Sequence, residues 1–408
     1  MPGLDDVGNM LFVSSIPSWD YLVEWYSDLA RTKTRSSYEI REQVNELVAG
    51  RTHLTESEKI RIVYDFITEN IRYSSVSFRQ SGLVPQKARD VLVNRIGDCK
   101  DVATLCIAML NEVGVKAEYV LVNTRDEGAN ANILPTIAFN HCIAGVRTPG
   151  AVRYLDLTAN NYPLGSAPPM DFDAFSLRIA PDTREPAYLA KELFTPRSVF
   201  RQTTAAVLGD NSIAVTRVST RTGGATAGTR SAFRDIGQQE REQKLSESLS
   251  RDFPGVVLKS LAVSNVDAPD NIMVDTYDFA VPHYVTETGS YRFLKIPWAD
   301  NLEPDQALSY ETRSYPYDFW LNNDTLYEHI TIALPRGYVP VDLPPGTTLH
   351  SPIADYSLNV KVVKGTIVAE RRFIQKKRVV PTEEYPAFRK FYTAALKEDG
   401  AQILLRKR

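Results

Sequence analysis

Cys99 stands in the run Gly97-Asp98-Cys99-Lys100-Asp101, just ahead of an apolar stripe formed by Val102, Leu105, Cys106, Met109, Leu110 and Val113 and closed by Gly114. Spacings of three and four predict a helix that begins at the cysteine. A thiol on a first helical turn faces free backbone N–H groups and the positive end of the helix dipole, which favours the nucleophilic thiolate. Asp98 suits the N-cap and Asp101 the third helical position, so both carboxylates can turn toward backbone N–H groups. Lys100 adds local positive charge. Cys106, inside the stripe, reads as a small packed hydrophobe.

A nucleophilic cysteine needs a base, and the base needs a group to orient it. The chain has five histidines. His53 precedes a helix start, while His283, His329 and His350 lie in strand-like or loop-like segments of the C-terminal half with no acid at a suggestive spacing. His141 lies in the strand-like run Ile137 to Val146, followed by Thr148-Pro149-Gly150 and a second run, Val152 to Thr158, which together read as a hairpin. A turn at Thr148-Pro149 sets His141 directly opposite Asp156; a turn at Pro149-Gly150 sets it opposite Thr158, with Asp156 as the diagonal neighbour. Either register puts both side chains on one face, whereas a three-residue loop would separate them. Cys142 should then point to the other face and be packed.

The elements that must position these groups begin upstream. Thr55-Glu56-Ser57-Glu58 has the form of a capping box, and Ile60, Tyr64, Ile67 and Ile71 form a helical stripe ending in Asn70-Ile71-Arg72-Tyr73. Pro85 and a helical segment from Ala88 to Val93 lead into the cysteine turn. Together with Phe139-Asn140-His141 and Tyr154-Leu155-Asp156-Leu157-Thr158, these motifs resemble the transglutaminase-like superfamily of cysteine proteases and acyl transferases, over roughly residues 55 to 180 and in that family's order of Cys, His, Asp. The resemblance implies an α+β fold: a papain/transglutaminase-like core, with the helix-start cysteine packed on an antiparallel sheet, followed by β-rich structure. It implies Cys99 as nucleophile, His141 as general base and then acid, and Asp156 as the group that orients the imidazole. The backbone N–H of Cys99 would serve an oxyanion hole, with Gln80, Asn94 and Tyr73 as candidates for its second donor.

Composition bounds the rest. A chain of 408 residues with a net charge of −3 has material for two or three domains and is a poor match to nucleic acid. The apolar runs are too short and interrupted for a membrane span, and Met1 to Asp6 shows neither a basic n-region nor an h-region. Three cysteines, one given to catalysis and two to packing, make no disulfide framework. The spacing of acids, histidines and cysteines shows no metal-ligand cluster, and no cofactor is expected. Gly223 to Gly228 lacks the Lys-Ser/Thr ending of a phosphate loop and reads as a flexible connection.

The expected organisation is a lead-in segment over 1–50, read as the end of an upstream module, then a catalytic core over 51–190. A β-rich domain with one helix follows over 191–305, with strands at Ala206 to Thr216, Val256 to Val263, Asn271 to Val281 and Tyr291 to Ile296 and a polar helix from about Arg230 to Leu249. A β-rich module over 306–408 completes the chain, its Tyr315 region reading as sheet packing before a ligand platform. The junction near Leu11 to Leu29 and the module at 306–408 resemble an envelope-associated bacterial branch of the superfamily, which implies a periplasmic or envelope setting and an envelope partner. The functional expectation is amide hydrolysis or acyl transfer on a peptide or protein substrate; the alternative is a silent binding or scaffold protein that keeps the fold.

Overall fold

A computed structural model describes residues 8, 11–75, 82–128, 134–148, 150–267, 272–304, 308–319, 321 and 323–408. The chain divides into two compact units, one over residues 2–195 and one over 196–408.

The first unit contains helices α1 (Trp19–Ala30), α2 (Tyr38–Val48), α3 (Glu56–Asn70), α4 (Ala88–Asn94) and α5 (Cys99–Glu112). Two short parallel strands, β1 (Arg72–Tyr73) and β2 (Ile96–Gly97), precede a five-stranded antiparallel sheet. That sheet comprises β3 (Ala117–Asn123), β4 (His141–Thr148), β5 (Ala151–Leu155), β6 (Ala174–Ile179) and β7 (Ala187–Leu189), in the order β5-β4-β3-β6-β7. α3 starts at the Thr55/Glu58 capping box, as the sequence predicts. The α5 start has the same device: Asp101 N donates to Asp98 Oδ1 and Asp98 N to Asp101 Oδ2, both at 3.2 Å.

Every residue of α5 from Asp101 to Leu110 is buried. One flank packs with Ile60, Val63, Tyr64 and Ile67 of α3 and with Ala144 and Val146 of β4. The other flank, Ala103 and Ile107, shares a core with Trp19, Leu22, Val23 and Tyr26 of α1 and with Phe175, Leu177 and Ile179 of β6. Residues expected to form a separate lead-in therefore belong to the same compact unit as the core, which corrects the boundary at 50/51. The physical reason is coverage: α5 lies over β3 and β4, and the apolar face of β6 needs its own helix.

The second unit is built on an eight-stranded sheet of β8 (Ser198–Val207), β9 (Ile213–Thr222), β10 (Val257–Val263), β11 (Ile272–Val281), β15 (Thr325–Ala333), β17 (Thr347–His350), β18 (Ala354–Val363) and β19 (Thr366–Gln375). Its order is β10-β11-β9-β8-β15-β19-β18-β17, antiparallel except for the parallel pair of β8 and β15. A four-stranded sheet joins β12 (Thr286–Thr288), β13 (Tyr291–Lys295), β21 (Gln402–Lys407) and β16 (Tyr338–Asp342), and β14 (Tyr317–Asp318) pairs with β20 (Val379–Val380). Helices α6 (Ala227–Phe233), α7 (Gln238–Asp252) and α8 (Tyr385–Asp399) complete it.

Four expectations change here. The division at 305/306 fails, because β8 to β11 and β15 to β19 build one sheet, closed by the β8–β15 pairing that no local pattern encodes. The strand expected over 206–216 is two strands of a hairpin, with Gly209 and Asp210 between Val207 and Ile213. The expected polar helix is two helices, the second starting after Gly237. The glycine run is a 3-10 turn, Gly223–Thr226, whose Gly223, Gly224 and Thr226 are buried, so it is packed structure and not a loose connection. Tyr317 and Phe319 pack on Phe388 of α8, as the sheet-packing reading expects, while Tyr315 is exposed. Among the described residues no helix is long and apolar enough to cross a membrane.

Candidate active site

Cys99 is the first residue of α5 and is partly exposed. Its turn is fixed from below. Buried Asp101 accepts hydrogen bonds from Gln86 N at 2.7 Å and Gln86 Nε2 at 2.6 Å, and Asp98 is ion-paired with Lys100. Gly97 is required by space, since a Cβ there would come within 2.7 Å of Asp101 Cβ and 3.3 Å of Val91 Cγ1.

His141 opens β4. The preceding residue anchors it: Asn140 Oδ1 accepts from Thr124 N at 2.9 Å and Asn140 Nδ2 donates to Thr124 Oγ1 at 2.6 Å, tying the start of β4 to the end of β3. Phe139 stacks on Phe175 and meets Trp19 edge-on. Thr148 pairs with Ala151 and Ala144 with Leu155, which is the register with Pro149 and Gly150 between the strands and Asp156 diagonal to His141. His141 Nε2 lies 3.4 Å from Asp156 Oδ2, an ion-pair separation without an aligned hydrogen bond. Asp156 Oδ1 accepts from Thr158 N at 2.8 Å and Thr158 Oγ1 at 2.7 Å.

Burial opposes charge on His141, but the charge of the neighbouring Asp156 carboxylate holds the imidazole well above its usual range. Burial also works against ionised Asp156, yet His141 and the two Thr158 donors keep it below the usual carboxylate range. The other thiols sit elsewhere. Burial pushes Cys106 up to about 12, and Cys142 is raised by burial and then by the neighbouring Cys99 charge. Cys142 packs on the helix-covered face with Ala103 and Ile107, while Ile143 belongs to the opposite core, in line with strand alternation.

Of the three candidates for a second oxyanion donor, Tyr73 pairs in register with Gly97 and is 41% exposed, and its hydroxyl is pushed up to about 12 by partial desolvation and then by Cys99, Asp156 and Asp98. It is therefore a neutral donor at ordinary pH. Asn94 ends α4 and is exposed, and Gln80 lies outside the described residues.

One residue was missed by sequence reasoning. Asp171, at the end of a 3-10 turn over Pro169–Asp171, is wholly buried, and one donor atom each of His141, Asp156 and Asp171 lies within 4.8 Å of the others. Sequence spacing did not bring these three side chains together; the fold does. No spacing rule links 141, 156 and 171; the sole hint is an acid set between Met170 and Phe172, and Asp173 two residues on shares that weak signal. The C-terminal histidines also turn out to have acids beside them. His350 Nδ1 is 2.9 Å from Asp355 Oδ1 and His329 Nε2 is 4.0 Å from Glu370 Oε1, each pair joined by cross-strand register.

With this geometry in hand, comparison places the first unit. Residues 41–154 match the model of the transglutaminase-like superfamily, and residues 290–405 match a domain of unknown function with a solved structure, DUF3858. A crystal structure from Parabacteroides distasonis, described as a "putative protease", superposes with a TM-score of 0.56 at 14% identity, covering 96% of this chain and 59% of that one. This chain thus spans about three-fifths of that relative's length, and the likeness establishes fold. A "putative cysteine protease" from Cytophaga hutchinsonii is similar over 32% of this chain and 42% of its own, at 20% identity and a TM-score of 0.23. No curated protein matches the chain. The core is transglutaminase-like and is followed by a β-rich region.

Proposed function

We propose that the unit over 2–195 is a thiol enzyme that opens an amide bond of a peptide or protein through an acyl-enzyme. The observation that carries this reading is a buried imidazole whose Nε2 lies 3.4 Å from the Asp156 carboxylate, in the same unit as the helix-start thiol of Cys99, which is among the groups that raise that imidazole. In this reading His141 takes the Cys99 proton, and the thiolate attacks the carbonyl carbon. The oxyanion that forms is met by the Cys99 backbone N–H, which the helix start leaves free, with the Tyr73 hydroxyl as the second donor. The C–N bond then breaks, His141 protonates the departing amine, and Cys99 Sγ keeps the acyl group. Water or a second amine attacks the thioester, giving a proton to His141, and the thiol is restored. Asp156 remains ionised throughout and orients the ring. The transglutaminase-like match over 41–154 supports the same assignment.

The experiment is sub-stoichiometric iodoacetamide at neutral pH with peptide mapping. Cys99 should be labelled ahead of Cys106 and Cys142, and His141→Ala should slow it. Release of p-nitrophenol from p-nitrophenyl acetate should show a burst that Cys99→Ser abolishes. Equal labelling of the three thiols in the folded protein, or labelling that ignores His141, overturns the enzyme reading and leaves the scaffold alternative.

A further inference from the structure

Asp171 has no role in the chemistry above, yet it is the most completely enclosed acid near it. Its relative exposure is 0%, and neither carboxyl oxygen has a hydrogen-bond donor. Asp156 Oδ2, on the neighbouring carboxylate, is buried in the same condition. Buried polar atoms without partners are rare and costly, and three of them in one pocket require an explanation. A single proton accounts for two of the three. Two carboxyl groups in one dry pocket do not both ionise, and a hydrogen held between them converts an orphaned acceptor on each side into one hydrogen bond.

The surroundings decide which acid holds the hydrogen. Asp156 has two donors from Thr158 on Oδ1 and the His141 ring facing Oδ2, all favouring its anion. Asp171 has none of these. The ionisable groups that face it are Asp156, His141 and Asp126 of the 3-10 turn Arg125–Glu127. Burial and the Asp156 charge raise its carboxyl well above the usual range, against the pull of His141, and Asp126 adds in the same direction.

We propose that Asp171 is a positioning residue that donates its carboxyl hydrogen to Asp156 Oδ2 and thereby limits how tightly Asp156 holds the His141 imidazolium. The inference rests on the triad reading above, since it gives Asp171 a task only if His141 cycles its proton. With a donor on Oδ2, Asp156 is a weaker partner, and His141 returns its proton more readily to the departing amine. Without it, the imidazolium is held more tightly and the carboxylate loses its fixed orientation.

The test uses the full chain and three proteins: wild type, Asp171→Asn and Asp171→Ala. Asn keeps a donor in a nearly identical shape, and Ala removes it. In wild type at pH 7, infrared spectra should contain the C=O stretch of a buried protonated carboxyl, and Asp171→Asn should lack it. The His141 titration followed by NMR, and the upper limb of the pH profile for Cys99 alkylation, should stay in place in Asp171→Asn. Both should move up by about one pH unit in Asp171→Ala, a ten-fold change in proton affinity. Absence of the infrared band, identical His141 titrations in all three proteins, or a stoichiometric metal ion retained by purified wild type and lost from Asp171→Ala overturns the proposal. The infrared comparison needs only wild type and the Asn variant, so it holds even if Asp171→Ala fails to fold. If wild-type alkylation is itself insensitive to His141→Ala, the triad reading fails first. If it is sensitive but blind to both Asp171 variants, only this inference fails.

Discussion

Both units bury charge, but to different ends. In the β-rich unit, Arg371 is ion-paired with Glu328 and, at 2.6 Å, with Asp399, while Arg197 reaches Asp324 at 2.8 Å; all of these side chains are at most one-tenth exposed. Strand register places Glu328 opposite Arg371, and the end of α8 brings Asp399 to the same guanidinium. In the first unit, His141 Nε2, Asp156 Oδ2 and both Asp171 oxygens are buried without an aligned partner. Buried atoms without an aligned partner occur in the β-rich unit too, Arg371 Nε among them, so the difference lies in the company they keep: guanidiniums ion-paired with carboxylates there, and here a histidine with two carboxyl groups in the unit that carries the helix-start thiol. The histidines repeat the lesson: His350 and His329 also have acids, yet they lie on exposed strand surface, with side chains 72% and 34% accessible against 5% for His141. A His–acid pair is ordinary; one sealed beside a helix-start thiol is not.

The largest test of this contrast is His141→Ala. It should lower Cys99 alkylation and any turnover by roughly 10³-fold or more. The β-rich unit should keep its unfolding transition. Arg371→Leu should do the reverse, leaving buried Asp399 without its ion pair and Glu328 with only Arg201 at 3.7 Å, at a cost of about 3–5 kcal/mol in denaturant unfolding of the β-rich unit. Cys99 alkylation in the folded protein should be unchanged.

Gly97→Ala probes the cysteine turn. The Cβ contact with Asp101 should cost about 1–3 kcal/mol and slow alkylation, because the helix start and its capping box must shift together. A neutral effect would mean the turn is looser than the 2.7 Å approach implies.

pH sharpens the comparison further. His141, raised in the folded state, adds stability that is complete below its unfolded value of 6.5 and is lost as pH rises through the folded value. Asp156, lowered, adds stability present above 3.8 and lost as pH falls through its folded value. Asp171, raised, acts oppositely to Asp156: above 3.8 the unfolded chain releases a proton that the folded chain keeps, so wild type loses stability as pH rises. Asp171→Asn should therefore gain on wild type in urea unfolding between pH 4 and pH 7, and a constant difference contradicts a raised Asp171. The smallest effect belongs to the control, His350→Ala, where an exposed pair with Asp355 should contribute about 0–1 kcal/mol.

Much of the site was legible because its signals are local. The Cys99 helix start rests on a capping box three residues wide, and the His141–Asp156 face rests on hairpin parity, so short spacings carry both. Three turn lengths or positions stayed open, one of which would have separated His141 from Asp156, and the Thr148–Ala151 pairing closes the choice in favour of the diagonal arrangement. What local pattern misses is long-range: the α1 cover on β6, the β8–β15 pairing across more than a hundred residues, and the acids facing His329 and His350 across strands.

The sequence by itself determined which thiol starts a helix and which cysteines are packed, because capping, periodicity and alternation act over a few residues. Tertiary structure alone decided that α5 is buried on both flanks, that strands from both sides of 305 build one sheet, and that Asp171 closes on Asp156. Those outcomes depend on surfaces brought together by folding, and the desolvation that makes Asp171 matter exists only once the pocket has closed around it.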